Sequence, residues 1–493
     1  MRVESFLLES ARRFPGKTAL VAGGTRLTYA ELGAAATRFA AELRRQGVVR
    51  GDRVVIYLQN SPEAVISVFG TLLAGGVFSV VNPSTKADKL AYILNNCTAK
   101  ALVTEPRLAE TARAARAEAP AVAALLTTPF AFPDAPAPRA AGIDLDVAMI
   151  VYTSGSTGFP KGVTMTHANI VAAATSITTY LESSPDDIVL SVLPLAFDYG
   201  LYQALMCAKV GATLILEKSF AFPQVILDKL KAERVTGFPL VPTMAALLLQ
   251  MKQLEPGMFS TLRYITNTAA ALPKAHIQRL RELFPSARVF SMYGLTECKR
   301  CTYLPPEELD RRPESVGIAI PGTEAYVVDE LGQRVGPGVT GELVIRGAHV
   351  MKGYWCDDAA TARALKTGPY PWEKVLYTGD LFRMDEEGFL YFVSRKDDII
   401  KTRGEKVSPK EVENVLYELA GVREVCVIGV PDPILGQALK AIVAADEGVT
   451  DRDIIRHCRE RLEDFMVPSV VEFRSQLPKS ENGKIARKEL VAA

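Results

Sequence analysis

Short apolar segments alternate with segments of helical periodicity along the first 293 residues, and this alternation limits the folds open to the chain. DRVVIYL at 52–58 and VFSVV at 77–81 are apolar runs with the length of buried strands. Between them, SPEAVISVFGTLLAG predicts a helix with Ser61 as N-cap and Pro62 at the first helical position. Strands that alternate with helices in this way predict parallel sheets covered by helices.

Three stretches depart from that alternation. Residues 107–142 are rich in Ala and Pro and predict a variable surface excursion. From about residue 314, short strands separated by Gly, Pro and Asp-Glu turns predict a smaller β-rich sub-domain. Roughly the last hundred residues combine helix and strand patterns in another compact unit. The length of 493 residues agrees with about three domains or sub-domains.

The charge balance excludes two classes of partner. Lys and Arg number 57 and Asp and Glu 56, so the formal net charge of +1 leaves no basic surplus for nucleic acid or an anionic membrane. The uncharged run 64–81 contains Gly75-Gly76, which predicts a buried helix followed by a strand rather than a membrane span. The N-terminal segment lacks the apolar core of a signal peptide, so we expect a cytoplasmic location.

The seven cysteines are odd in number and scattered, which favours reduced thiols in a cytosolic protein over a disulfide framework. Cys298 and Cys301 form a C-x-x-C pair. A zinc site would need two further ligands at metal-binding spacing, and the sequence contains no second pair. We therefore expect these cysteines to be small residues of a pocket or of the core.

The sharpest local signal is VYTSGSTGFPKGVTMTH, at residues 151–167. A buried strand leads into a loop of hydroxyls and glycines, and a helix follows the loop and His167. Glycines let backbone N–H groups turn toward an anion, and the hydroxyls and Lys161 add donors and charge, as a polyphosphate requires. The loop is not a Walker A motif, because Gly162 stands where that motif has a hydroxyl. The alternative is a flexible surface loop.

Three further clusters carry candidate chemistry. YGLTE at 293–297 follows a predicted strand, where a carboxylate is placed to hold Mg²⁺ on a nucleotide. YTGD at 377–380 offers an acceptor for ribose hydroxyls, and RKDD at 395–398 offers an arginine to support it. In LPKSENGKIARKEL, an Asn-Gly turn presents Lys484 at a loop tip. Taken singly, each cluster is explained as well by a structural Glu, a surface turn or a solvated lysine.

Together, the order and spacing of these motifs resemble the superfamily of AMP-forming adenylating enzymes. Its members are acyl- and aryl-CoA synthetases, adenylation domains of non-ribosomal peptide synthesis and firefly-type luciferases. The resemblance covers nearly the whole chain, from TALVAGGTRLTYAEL to LPKSENGKIARKEL. It rests on YTSGSTGFPKG, YGLTE, YTGD, RKDDIIKTRGEKVSPKEVE and GKIAR, which are jointly very specific in this order.

The resemblance implies a role for each motif. Lys484 matches the lysine that catalyses adenylation, Thr296 a phosphate contact and Glu297 the Mg²⁺ ligand, and these form the predicted catalytic set. Tyr293 matches the residue that stacks on adenine, and Asp380 and Arg395 match the ribose contacts. The predicted ATP-binding residues are Thr153, Ser154, Gly155, Ser156, Thr157, Gly158, Lys161, Tyr293, Asp380 and Arg395.

The resemblance also implies the architecture. We expect an α/β fold whose large N-terminal domain, residues 1–394, has two mixed or parallel sheets with flanking helices and a small β-barrel-like sub-domain. A small, mobile α+β C-terminal domain, residues 395–493, carries the catalytic lysine as a lid. Asp397 matches the hinge about which this domain turns.

These matches predict a ligase that uses ATP and Mg²⁺ to activate a small or medium carboxylic acid, whether aryl, acyl or amino acid. The acyl-adenylate forms with release of pyrophosphate, and its acyl group then passes to the thiol of CoA or of a carrier protein's phosphopantetheine. A stand-alone amino-acid adenylation enzyme and an adenylating enzyme with an amine-type acceptor are alternatives. A catalytically silent homologue is disfavoured because Lys484, Glu297 and Asp380 are all present. The oligomeric state is left open.

The predicted substrate pocket can be interpreted in two ways. Its residues are Phe197, Asp198, Tyr199, Thr268, Ala269, Ala270 and Cys298. Phe197 with Tyr199 fits the aromatic pair of many CoA ligases. Phe197-Asp198 also fits the amino-acid-activating members, in which the Asp binds the substrate's α-amine. Because a buried Asp without a partner is costly, we expect a cation, a substrate amine or a hydrogen-bond donor beside Asp198.

Two other segments depart from the family's pattern. The usual Gly-Gly pair is replaced by NTAAA at 267–271, whose methyl groups should narrow the space beside the acyl group or adenine. Lys299 and Arg300 stand where most members have small or apolar residues. We expect these two cations on a solvated rim, with contact to an acidic substrate tail or a phosphate as the alternative.

Overall fold

The computed structural model describes residues 1–136, 142–153, 160–268, 272–402, 405–432, 435–479 and 484–491. The elements before residue 136 are α1 (Glu4–Arg13), β1 (Thr18–Ala22), β2 (Thr25–Thr28), α2 (Tyr29–Arg45), β3 (Arg53–Tyr57), α3 (Pro62–Leu73), β4 (Val77–Val80), α4 (Ala87–Asn96), β5 (Ala101–Thr104), α5 (Ala109–Ala117) and β6 (Ala124–Thr127).

The elements of the middle of the chain continue the alternation. They are β7 (Val147–Thr153), β8 (Lys161–Thr166), α6 (His167–Tyr180), β9 (Ile188–Ser191), α7 (Asp198–Val210), β10 (Thr213–Leu216), α8 (Pro223–Ala232), β11 (Gly237–Leu240), α9 (Pro242–Leu249), β12 (Tyr264–Asn267), α10 (Lys274–Leu283), β13 (Arg288–Tyr293) and β14 (Thr302–Leu304).

Strands dominate the remainder up to residue 395, and a mixed unit follows. The first group is β15 (Ile318–Ala319), β16 (Thr323–Val328), β17 (Gly341–Gly347), β18 (Gly353–Tyr354), α11 (Asp358–Ala364), β19 (Leu365–Thr367), β20 (Lys374–Met384) and β21 (Leu390–Arg395). The second is β22 (Ile400–Thr402), β23 (Glu405–Val407), α12 (Pro409–Tyr417), β24 (Val422–Asp432), β25 (Gly436–Ala445), α13 (Asp451–Arg459), β26 (Val470–Phe473) and α14 (Arg487–Val491).

Two large sheets form the body. One has the order β18-β8-β7-β4-β3-β5-β6, in which the strands from β7 to β6 are parallel. The other has the order β15-β14-β13-β12-β11-β9-β10-β1-β2, parallel from β13 to β1. A smaller antiparallel sheet, β16-β17-β20-β19 with β21 beside β20, stands where the β-rich sub-domain was predicted. The predicted α/β class is confirmed.

The long uncharged run near the N-terminus folds as predicted, into a buried helix and then a buried strand. α3 begins at Pro62, and Ser61 Oγ accepts a hydrogen bond from the Ala64 N–H at 3.2 Å. β4 follows it and is buried along its length, as an interior parallel strand should be. Within the described part of the chain, no helix is both long and apolar enough to cross a membrane.

The stretch 107–142 is not the plain surface excursion that its composition predicts. α5 buries Ala112 and Ala115, and β6 extends the sheet by pairing in parallel with β5. Phe130 then packs on Phe39, with ring centroids 5.0 Å apart. The prediction failed because an alanine-rich helix shows little contrast between its faces and a four-residue strand is a weak signal.

The C-terminal unit has its own sheet, β23-β22-β25-β24, with β26 parallel to β25. Its core is a separate apolar cluster that includes Val412, Leu416, Val427 and Ile454. This organisation agrees with a small, separate C-terminal domain, and its role as a lid stays a prediction. The boundary between residues 394 and 395 stays a prediction.

We predict that Thr166→Ala lowers the free energy of unfolding by about 1–2 kcal/mol. Thr166 caps α6 through a reciprocal pair of hydrogen bonds with Asn169, and Asn169 Nδ2 also donates to the Ala348 carbonyl at 2.7 Å. Urea unfolding measures the change. Thr175→Ala removes an exposed threonine from the same helix and should change stability by less than about 0.5 kcal/mol. Equal effects of the two substitutions would contradict the capping role.

Candidate active site

The strands on either side of the predicted phosphate loop, β7 and β8, pair with each other in antiparallel fashion. Thr153 ends β7 and pairs with Lys161 at the start of β8. The sequence predicted a helix after the loop but no strand between them, because a short segment containing Gly162 is a weak strand signal. The loop therefore does not lead into a helix N-terminus, and α6 begins only at His167. The remaining predicted loop residues, Ser154, Gly155, Ser156, Thr157 and Gly158, lie outside the described residues.

Lys161 lies beside Tyr354, and Tyr354 donates a hydrogen bond to Glu297. The Lys161 Nζ is 5.3 Å from the centroid of the Tyr354 ring. The Tyr354 hydroxyl donates to Glu297 Oε1 at 2.7 Å. Burial and the charge of Glu297 raise the pKa of Tyr354, so its hydroxyl stays a donor. Tyr354 was missed from the sequence because it lies on the edge strand β18, about 57 residues beyond Glu297 in the chain, and no motif marks it.

The segment from Tyr293 to Cys301 folds back on itself. The Cys301 N–H donates to the Tyr293 carbonyl at 2.9 Å and closes the loop. A Cβ on Gly294 would lie 1.8 Å from the Lys299 carbonyl oxygen, so only glycine permits this approach. Lys299 itself has a φ of 62°. The fold-back fixes where the half-buried Thr296 and Glu297 stand.

Asp380 joins the predicted adenine and ribose residues. The Tyr293 hydroxyl donates to Asp380 Oδ2 at 2.6 Å, and Arg395 Nε donates to Oδ1 at 2.8 Å. Desolvation and the Asp380 charge raise the pKa of Tyr293, which keeps its hydroxyl protonated. A carboxylate has about four lone-pair positions, so this buried Asp retains capacity for ribose hydroxyls.

Lys484, which belongs to the C-terminal unit, lies near Asp198, Asp380 and Glu297, and these four residues define the cleft. Its side chain keeps solvent contact, and desolvation by the surrounding protein lowers its pKa. Arg395 lowers the pKa further, while the nearby carboxylates raise it. Those carboxylates, in decreasing order of effect, belong to Asp198, Asp380 and Glu297. Lys484 thus interacts electrostatically with carboxylates that lie more than 100 positions away in the sequence.

The predicted substrate pocket is built on the start of α7. Phe197 is the N-cap residue and Asp198 the first helical residue, both half-buried. Tyr199 is buried, and its hydroxyl donates to the Thr266 carbonyl at 2.7 Å. Thr268 is also buried, whereas Ala269 and Ala270 lie outside the described residues. The structure therefore brings α7 and the end of β12 together.

Cys298 and Cys301 are buried with their Sγ atoms 3.0 Å apart. Burial raises the pKa of Cys298. The residues that the structure describes contain no group of three His, Cys, Asp or Glu side chains able to hold a metal ion. The burial of both side chains agrees with the expectation that they are small residues of a pocket or of the core.

The solvated rim predicted for Lys299 and Arg300 is wrong. Only 2% of Lys299 and 3% of Arg300 is exposed to solvent. The fold-back at Gly294 turns both side chains inward, toward Tyr199 and Tyr202 of α7. Charge alone suggested solvent exposure, and no local pattern in the sequence indicated the turn.

The predicted hinge residue Asp397 is exposed in the turn between β21 and β22. The Lys396 N–H donates to the Gly379 carbonyl at 2.8 Å, just before this turn. Arg395 therefore stays tied to the body while the chain enters the C-terminal sheet three residues after Asp397. The hinge role stays a prediction.

The chain resembles known proteins along most of its length. Residues 7–355 match the AMP-binding enzyme family, and residues 411–484 match the AMP-binding enzyme C-terminal domain. The chain belongs to the AMP-binding enzyme family. The resemblance predicted from the motifs is confirmed.

Relatives of this AMP-binding enzyme include acid–CoA ligases that match along their length. The long-chain-fatty-acid–CoA ligase of Bacillus subtilis is 32% identical, over 99% of this chain and 94% of the relative. A feruloyl-CoA synthase of Amycolatopsis sp is 34% identical, over 99% and 98%. Among solved structures, ATP-bound MatB from Rhodopseudomonas palustris has a TM-score of 0.88 and 29% identity, over 100% and 99%.

We predict that Gly294→Ala lowers the free energy of unfolding by about 1–3 kcal/mol and reduces activity strongly, because a methyl group cannot fit against the Lys299 carbonyl. Urea unfolding and acid-dependent pyrophosphate release measure the two effects. Gly336→Ala is the matched control, since a Cβ there meets nothing within 4 Å. A Gly294 variant as stable and active as that control would rule out the backbone constraint.

Proposed function

We propose that this chain activates a small or medium carboxylic acid with ATP and transfers the acyl group to a thiol. The acid's carboxylate attacks the α-phosphorus, the bond to pyrophosphate breaks and an acyl-adenylate forms. The thiol then attacks the acyl carbon and AMP leaves. CoA is the acceptor that the names of the relatives favour, and the phosphopantetheine of a carrier protein is the second acceptor to test.

The observation that carries this proposal is the position of Lys484 opposite Glu297, Asp380 and Asp198. Adenylation joins two anions, so the enzyme must align them and neutralise charge in the transition state. A lysine is a compact charge on a flexible stem and can reach both the carboxylate and the α-phosphate. This chemistry needs no nucleophilic side chain, because the substrate itself attacks.

Glu297 fits the role of a Mg²⁺ ligand. Its hydrogen bond from Tyr354 occupies one of about four lone-pair positions, which leaves hard oxygen donors for the cation. When bound, Mg²⁺ would neutralise phosphate charge. The chain's own contribution is to orient this carboxylate through Tyr354 and to place Lys161 on the same side of the site.

Asp198 does not require an amine on the substrate. Lys484, which shares its environment, supplies the cation that a half-buried carboxylate needs. This balance favours an acid without an α-amine, so a CoA-type ligase is preferred over an amino-acid adenylation enzyme. Pyrophosphate release trapped with hydroxylamine, across aliphatic, aryl and amino acids, tests the choice. Release with amino acids alone would contradict it.

We predict that Lys484→Ala reduces acid-dependent ATP–pyrophosphate exchange at least about tenfold, because the transition state loses its mobile positive charge. Lys479→Ala is the control, since Lys479 lies on the same segment but pairs with Glu424. Exchange above about a tenth of wild type in the Lys484 variant would exclude the catalytic role.

We predict that Asp397→Pro spares adenylation and impairs thioester formation. Proline fixes φ near −65° and removes the backbone freedom that a hinge requires. Asp397→Ala keeps that freedom and should retain both half-reactions. The half-reactions are followed separately, by pyrophosphate exchange and by CoA-thioester formation. Equal losses of both in the proline variant would refute the hinge.

A further inference from the structure

Two buried cations that the adenylation chemistry does not use lie beside the predicted substrate pocket. Lys299 Nζ is 5.6 Å from the centroid of the Tyr202 ring, and Arg300 Cζ is 4.4 Å from that of Tyr199. Within the described residues, Lys299 Nζ, Arg300 Nε and the Tyr202 hydroxyl are buried without a hydrogen-bond partner. Buried polar groups are nearly always paired, so this cluster calls for a partner.

Lys299 is costly to bury in this state. Only 2% of the residue is exposed, and within the described part of the chain its Nζ has no hydrogen-bond partner. The contact of Nζ with the face of the Tyr202 ring offsets part of the free energy that the lysine loses with its hydration. An anion placed against Nζ would supply both the charge and the hydrogen bond that the lysine lacks.

The Lys299 cluster and Lys484 both lie near Asp198. Asp198 shares an environment with Lys484, which would meet the reacting carboxylate, and also with Lys299. Tyr202 follows Asp198 on α7 by four residues, which is about one helical turn or 5.4 Å. A group at the far end of a short acid would therefore reach Lys299 while its carboxylate faces Lys484.

We propose that Lys299 and the Tyr202 hydroxyl bind a second carboxylate at the far end of the substrate, so that the enzyme selects short dicarboxylic acids. This inference rests on the proposed acid-activating function. Arg300 is a positioning residue, because its guanidinium packs on Tyr199 and adds positive charge behind Lys299. A methyl-ended acid would fill the same space and leave the lysine buried and unpaired.

The test compares acids of equal length that end in a carboxylate or in a methyl group. The pairs are glutarate with pentanoate, adipate with hexanoate, and terephthalate with 4-methylbenzoate. Acid-dependent pyrophosphate release by the full chain gives kcat/KM for each acid. We expect at least one dicarboxylate to exceed its methyl-ended partner by more than about tenfold.

The matched variants are Lys299→Met and Lys209→Met. Lys299→Met keeps the length of the side chain and removes its charge, so it should abolish the preference and leave the methyl-ended acid as good or better. Lys209 is a half-buried lysine near the other end of α7, with Nζ 3.4 Å from Thr178 Oγ1. Lys209→Met should retain the preference.

The outcomes separate the two proposals. Release with methyl-ended acids and no preference for any dicarboxylate would overturn this inference and leave the proposed function standing. No release with any acid would remove both. If Lys299→Met lowered kcat/KM equally for both acids of a pair, the role of Lys299 would be structural and the inference would be overturned. If that variant does not fold, the wild-type pairs decide, and 6-hydroxyhexanoate matching adipate would overturn the assignment of a carboxylate.

Discussion

The approach of the Gly294 and Lys299 backbones determines the rest of the site. Because no Cβ stands between them, the chain can leave β13, fold back and re-enter the sheet as β14 within eight residues. The hydrogen bond from the Cys301 N–H to the Tyr293 carbonyl closes this loop. One backbone constraint thus fixes the relative positions of Tyr293, Glu297 and Lys299.

The neighbouring elements complete the cleft around that loop. β20 and β21 bring Asp380 and Arg395 to Tyr293, and the edge strand β18 brings Tyr354 to Glu297. The C-terminal unit contributes Lys484, which interacts electrostatically with Asp198, Asp380 and Glu297. Tyr293 stands at the carboxyl end of a parallel strand, β13, whereas Asp380 and Arg395 lie on antiparallel strands whose side chains reach it.

The sequence predicted the parts of this arrangement that local patterns control. Apolar runs and caps gave the alternation and the start of α3, and the motifs gave the family and the residues that meet at the cleft. It missed the strand β8 and the packed elements within 107–142 because their short or alanine-rich segments give weak local signals. It missed Tyr354 because β18 pairs with β8, which is far away in the sequence. It also wrongly predicted that Lys299 and Arg300 are exposed to solvent. Their burial follows from the positive φ at Lys299, which no local sequence pattern indicates.

The net charge of +1 conceals how charge is ordered along the cleft. Asp380 is paired with Arg395. Glu297 and Asp198 both share the environment of Lys484. Each of these carboxylates therefore has a protein cation to balance it, and none requires a cation from the substrate. Lys299 differs, because among the described residues it is a buried ammonium that donates no hydrogen bond. The two proposed anions, phosphates at Lys161 and a second carboxylate at Lys299, would each meet a lysine whose charge the cleft's carboxylates leave available.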